Sequence, residues 1–91
     1  MKLYHATHES GAVGIEEFGF TRSSLGGSAG DAWFCSSIEG TAALARGRGW
    51  IVTVEMPRMM AERHRVDYDN FKIPFHVVNS YQPFVIEPLH P

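Results

Sequence analysis

Apolar and polar positions set out a strand and then a helix within the first twenty residues. Lys2 to Thr7 is a short, partly aromatic run ending in polar residues, which predicts a first strand. From Ser10 to Phe18, Ala12, Ile15 and Phe18 return at helical spacing beside Glu16 and Glu17, and Gly19 stands where a left-handed residue can end the helix. Thr21 to Asp31 holds Gly26, Gly27, Gly30 and three serines, too little side chain to bury, and predicts a loop. Ala32-Trp33-Phe34-Cys35 follows as a compact strand-like run. Ser36-Ser37-Ile38-Glu39 then has the form of a capping box opening an alanine-rich helix through Thr41 to Ala45, which stops at Gly47.

Alternation is clearest from Trp50 to Met56, where Trp50, Val52, Val54 and Met56 share one face of a strand. Pro57 ends that strand and can start a helical turn through Met59, Met60 and Ala61. A polar segment leads to Phe71-Lys72-Ile73. Phe75 to Val78 and Phe84 to Ile86 read as two more strands, joined by Asn79-Ser80-Tyr81-Gln82-Pro83. The pattern predicts a sheet-rich α+β domain with about five or six short strands and two or three helices.

Length narrows this to one domain over residues 1–91, and a hydrophobic content of 44% suits a packed core rather than disorder. A domain of this size buries only about 60–65% of its unfolded surface, which leaves room for a protein partner to add stability. A net charge of −2 argues against sequence-blind nucleic-acid binding through a broad basic face, while allowing a local patch. Cys35 is the single cysteine, which excludes an internal disulfide and a thiolate zinc site and suits a reducing, cytoplasmic setting. No apolar leader follows Met1-Lys2-Leu3-Tyr4-His5, and no run approaches the ~18 apolar residues of a membrane span, so no membrane association is expected.

Several chemistries fail on spacing. His5 and His8 are three apart and fall on opposite faces of a strand, so no metal site is expected. Cys35 sits in an apolar run as a small buried hydrophobe rather than an activated thiolate. The glycine-rich loop lacks the Gly-Lys-Ser/Thr of a phosphate-binding Walker loop. Arg46-Gly47-Arg48 and Arg63-His64-Arg65 read as solvated surface charge.

One ordered combination of pieces remains. Leu3-Tyr4-His5-Ala6-Thr7, a helix ending in Gly19-Phe20, a Gly/Ser loop, Gly30-Asp31-Ala32-Trp33-Phe34-Cys35-Ser36 and an alanine-rich helix together resemble the ADP-ribosyltransferase superfamily, in the style of its diphtheria-toxin and poly-ADP-ribose-polymerase branch. The resemblance implies a small split antiparallel sheet with NAD, as substrate, in a cleft between its halves. It implies cleavage of nicotinamide from NAD and transfer of ADP-ribose to a protein, nucleic-acid or small-molecule acceptor. On this resemblance His5 would hydrogen-bond the ribose next to nicotinamide, and the backbone at Ala6 and Thr7 would hold the carboxamide. Trp33 would stack on the ring with Phe34 beside it, and Ser36 and Ser37 would line the pocket. Ala6 replaces the usual Gly. At the place of the family's final-strand Glu the chain offers Gln82, with Glu87 five residues later, beyond the strand. A carboxylate can stabilise oxocarbenium charge, whereas neutral Gln82 can only hydrogen-bond. The resemblance also takes in two alternatives. One is a non-catalytic nucleotide- or protein-binding module on the same fold. The other is an RNA 2′-phosphotransferase-like activity drawing on Arg22, Arg46, Arg48, Arg58, Arg63 and Arg65. The loop from Thr21 to Asp31 is a candidate for acceptor selection or a lid.

Overall fold

A computed structural model describes residues 1–21, 30–45 and 49–89 of the chain. Five strands, β1 (Lys2–Thr7), β2 (Asp31–Cys35), β3 (Trp50–Glu55), β4 (Asn70–Pro74) and β5 (Val85–Pro88), form one open antiparallel sheet in the order β4-β2-β1-β3-β5. Four helices accompany it among the described residues: α1 (Glu9–Phe18), α2 (Ile38–Ala45), α3 (Arg58–Glu62) and α4 (Phe75–Val78). The architecture is α+β, as the residue pattern predicts, with more helix than expected.

The period-2 alternation of the strands sorts their side chains onto two faces. Leu3, Val52, Val54, Phe34, Phe71 and Ile73 point to one face and are buried together with Ile15 of α1, Ala61 of α3, Val78 of α4 and Phe20. Tyr4, Ala6, Trp33, Ile51, Thr53, Val85 and Glu87 fall on the other face by the same alternation, and α2 packs over β1 there. α1 buries Gly11, Ala12 and Ile15, one stripe at helical spacing.

Three expectations need correction. Phe75–Val78 is helix α4, not a strand. The reason lies in the ladder: Pro74 pairs with Asp31, the first residue of β2, so β4 has no partner strand beyond it, and the Phe75 N–H turns to the carbonyl of Gly30 at 2.9 Å. A short apolar run reads alike as buried strand or buried helix until its neighbours are known. The last strand begins at Val85, one residue later than expected, and extends to Pro88, which places Glu87 inside β5 opposite Ile51 rather than beyond it. Finally, α2 starts at Ile38, so Ser37 is its cap: Ser37 Oγ accepts the Gly40 N–H at 3.0 Å. The expected stop of that helix at Gly47, and residues 22–29 of the glycine-rich loop, lie outside the described residues.

Gly19 does end α1 at positive φ (+77°), although its ψ of −168° is extended rather than left-handed helical. A Cβ there would come within 2.7 Å of Gln82 Nε2 and 2.8 Å of Asn79 Oδ1. Asn79 uses the space: its Oδ1 accepts the Phe20 N–H (2.8 Å) and its Nδ2 donates to the Phe20 carbonyl (3.0 Å). This two-bond clasp fixes Phe20 in the core.

Candidate functional site

β1 lies at the centre of the sheet, yet its two neighbours hold it differently. Every residue of β1 pairs with β3, from Lys2 opposite Glu55 to Thr7 opposite Trp50, whereas β1 and β2 pair at Tyr4 and Cys35 alone among the described residues. Past that pair the strands fork. There His5 Nδ1 lies 2.8 Å from the Trp33 carbonyl oxygen. A carbonyl only accepts, so Nδ1 carries the proton and donates. The imidazole is held from the core side by edge contact with Phe20 (ring centroids 5.2 Å, 83°) and by Phe34 at 5.6 Å. Phe20 in turn touches Phe34 and Phe84.

A cavity of about 270 Å³ opens at the fork. His5, Ala6, Trp33 and Phe34 line it, together with Tyr4, Cys35, Thr41 of α2 and Asn70 of β4. Four residues expected on resemblance to surround nicotinamide are thus brought together. They do not play identical parts: Phe34 is 2% exposed and belongs to the core, while Trp33 is 51% exposed on the opposite face of β2. Lys72, its cross-strand neighbour, holds its ammonium 5.8 Å from the indole centroid, near the outer limit for a cation on an aromatic face. Thr7 is buried opposite Trp50 and does not line the cavity.

Polar residues absent from the sequence expectations frame one end of the cavity. Cys35 donates through its thiol to Asn70 Oδ1 at 3.6 Å, and Asn70 Nδ2 donates to Asp67 Oδ1 at 2.7 Å. Burial pushes the Cys35 thiol above its ordinary pKa, with Asp69 and Asp67 adding to the rise and Thr41 opposing it, so the thiol stays protonated at neutral pH. Asp69 accepts the backbone N–H of Ser36 (3.1 Å), the Ser36 hydroxyl and the Ser37 hydroxyl (3.1 Å). The Ser36 hydroxyl, the Ser36 N–H, the Ser37 hydroxyl and the charge of Arg65 hold the Asp69 carboxyl below its usual range. Asp69 is 33 residues from Ser36 and Asn70 is 35 residues from Cys35, and only the fold joins them. Tyr4 was legible as the alternation partner of Ala6; Thr41 was legible as a helix residue but not as a wall.

The expected catalytic pair is not assembled here. Gln82 precedes β5, at the end of the 3₁₀ turn Asn79–Tyr81; it is exposed and lines a surface hollow with Glu16, Glu17 and Phe84 at the end of α1. Glu87 is two strands from β2's neighbour β1 across β3, and lines a broad open hollow of about 640 Å³ with Lys2, Tyr4, Thr53 and Glu55. Neither lines the cavity with His5. Ser36, expected in the ring pocket, lines a third hollow next to it. Arg22, Arg46 and Arg48 lie outside the described residues. Among the described residues no group of three His, Cys, Asp or Glu could hold a metal, and no helix is long and apolar enough to cross a membrane. No protein-family model, curated protein or solved structure matches the chain.

Proposed function

We propose that this domain binds NAD, taking the nicotinamide ring into the cavity where β1 and β2 fork. The observation that supports this reading is the convergence of His5, Ala6, Trp33 and Phe34 on one cavity of about 270 Å³. That volume is below the ~300–1,000 Å³ usual for sites enclosing a drug-sized ligand, so it suits one ring with its carboxamide and not a whole dinucleotide. Asn70 and Thr41 supply amide and hydroxyl groups for a carboxamide, and the aromatic walls suit a flat ring. His5 acts as a positioning residue, tying the Trp33 backbone across the fork through Nδ1. With no carboxylate among the described residues lining the cavity, binding without transfer is the primary reading.

Ligand-observed NMR with NAD tests it on the wild type, His5→Ala and His5→Asn. Asparagine keeps an N–H near the place of Nδ1. NAD binding should weaken about tenfold in His5→Ala and recover in His5→Asn, the size expected for one hydrogen bond. No NAD binding by the folded wild type overturns the proposal.

A second reading, transfer of ADP-ribose to an acceptor, has one observation in its favour. Tyr4 walls both the ring cavity and the hollow in which Glu87 stands, and Glu87 shares a sheet face with Trp33. In that reading the carboxylate faces the ribose as the nicotinamide bond breaks and positive charge develops at the anomeric carbon. Nicotinamide release that is lost in Glu87→Gln while NAD binding persists selects it; binding with no release selects the binding module.

A further inference from the structure

Beside the ring cavity lies a hollow of about 660 Å³ walled by Lys2, Arg58, Arg65, Ser36, Ser37 and Asp69, with Tyr4 among its further walls. We propose that this hollow is an anion site that receives the phosphate groups of a nucleotide, with Arg58 and Lys2 as its binding cations.

Charge is the first reason. Among the described residues, three cationic side chains line the hollow against one carboxylate, Asp69. Asp69 is turned inward onto Ser36 and Ser37 by three hydrogen bonds. Arg65 is also taken: its Nε and Nη2 grip the two oxygens of Glu62 at 2.6 and 2.7 Å, its Nη1 donates to the carbonyls of Asp67 and Tyr68, and its guanidinium lies 4.6 Å from the Phe71 centroid. Arg65 therefore builds the wall. The side chains of Lys2 and Arg58 are exposed and make no hydrogen bond among the described residues, although Lys2 stands opposite Glu55 of β3 and Arg58 feels the charge of Glu62. Glu62 is the nearest opposing charge on the Arg58 helix and is itself held by Arg65.

Continuity is the second reason. Tyr4 walls both the hollow and the ring cavity. Two pairs of consecutive residues straddle the boundary as well: Cys35 and Asn70 line the cavity, while Ser36 and Asp69 line the hollow. A ligand whose ring fills the smaller space has its remaining groups delivered past Tyr4 to Arg58 and Lys2. Guanidinium pairs phosphate through two parallel N–H groups, and ammonium adds a point charge. The identity of the anion as part of NAD rests on the reading proposed above; the existence of the anion site does not.

The test separates the two. The isotope-labelled full chain is titrated with inorganic pyrophosphate and, separately, with nicotinamide, and backbone amides are followed by NMR. Pyrophosphate should shift the amides of Ser36, Ser37, Tyr68 and Asp69, and Arg58→Gln should weaken its binding about tenfold, the size expected for a charge-assisted contact. Lys2→Gln should weaken it less. Both positions are exposed, and an unchanged spectrum elsewhere confirms that each variant folds. Absence of these shifts in the wild type, or equal affinity in wild type and both variants, overturns the anion site. Nicotinamide should instead shift Ala6, Trp33 and Phe34. Pyrophosphate binding without nicotinamide binding keeps the anion site and removes the NAD reading; the reverse removes the anion site alone.

Discussion

The two faces of the sheet are built on different principles. One is closed by apolar packing: Leu3, Phe34, Val52, Val54, Phe71 and Ile73 are at most 2% exposed beneath α1, α3, α4 and Phe20. The other is only partly covered by α2 and leaves Trp33, Ile38 and Val85 about half exposed, with hollows between them. Polar ties hold its scaffold: Asp69 to Ser36 and Ser37, Asn70 to Cys35 and Asp67, Arg65 to Glu62. The comparison teaches a division of labour within one small sheet. The closed face supplies stability through burial, and the open face keeps space for a ligand by using directional bonds instead of close packing.

Neighbouring residues of one strand offer the largest test of this contrast. Phe34→Ala empties a core position and should lower stability by about 3–5 kcal/mol, against a total of roughly 5–15 kcal/mol for a small domain. Trp33→Ala, on the other face, should cost under about 1 kcal/mol despite removing a larger side chain. Urea unfolding of the two variants measures both, and equal costs break the distinction.

The polar scaffold is probed next by Gly40→Ala in α2. A Cβ there would meet Asp69 Oδ2 at 2.5 Å and Ser37 Oγ at 2.9 Å. Alanine gains about 1 kcal/mol of helix propensity, but the displaced Asp69 loses its hydrogen bonds, and the net expectation is a loss of about 1–2 kcal/mol. A gain in unfolding midpoint shows that Asp69 gives way freely and that the clamp is loose.

The smallest effect is one of pH. The folded-state pKa of Asp69 is lowered by its serine partners, so its contribution is present above the unfolded value near ~3.9 and is lost as pH falls through the lower folded value. The unfolding midpoint of the wild type should therefore decline below about pH 4 more steeply than that of Asp69→Asn. Identical slopes remove Asp69 from the scaffold. Measured together with Phe34→Ala, the experiment also asks whether the closed face is indifferent to the same change in pH.

Much of the closed face was legible in the sequence, and little of the open one. Alternation in Trp50–Met56 and the spacing of Ala12 and Ile15 state which side chains seek a core, because burial acts on each residue independently of its partners; Phe18 shares that spacing but is 69% exposed at the end of α1. Phe75–Val78 misled because an apolar run does not say whether a partner strand continues beside it, and here β2 runs out at Asp31. The cavity wall formed by His5, Ala6, Trp33 and Phe34 could be anticipated from short motifs. Asp69 and Asn70 could not, since a hydrogen bond across 33 or 35 residues leaves no periodic trace. Glu87 failed to join His5 for a related reason: β3 stands between β5 and β1, an order that linear spacing does not encode, while Gln82 precedes β5 and lies at the end of α1.

The strand order carries one more consequence, for a chain emerging from the ribosome. On one side of the fork stand β1, β3 and β5, and on the other β2 and β4. Odd and even strands alternate along the sequence, so every connection between successive strands crosses from one side to the other. Neither side can be finished ahead of its counterpart. The β4 edge needs residues up to Pro74 and the β5 edge needs residues up to Pro88, so a nascent chain halted before Asn70 has β1, β2 and β3 with both outer neighbours still missing. Such long-range pairing slows folding. The interleaving also means that the ligand cleft, which takes Asn70 from β4, is completed only after β1, β2 and β3 have been made.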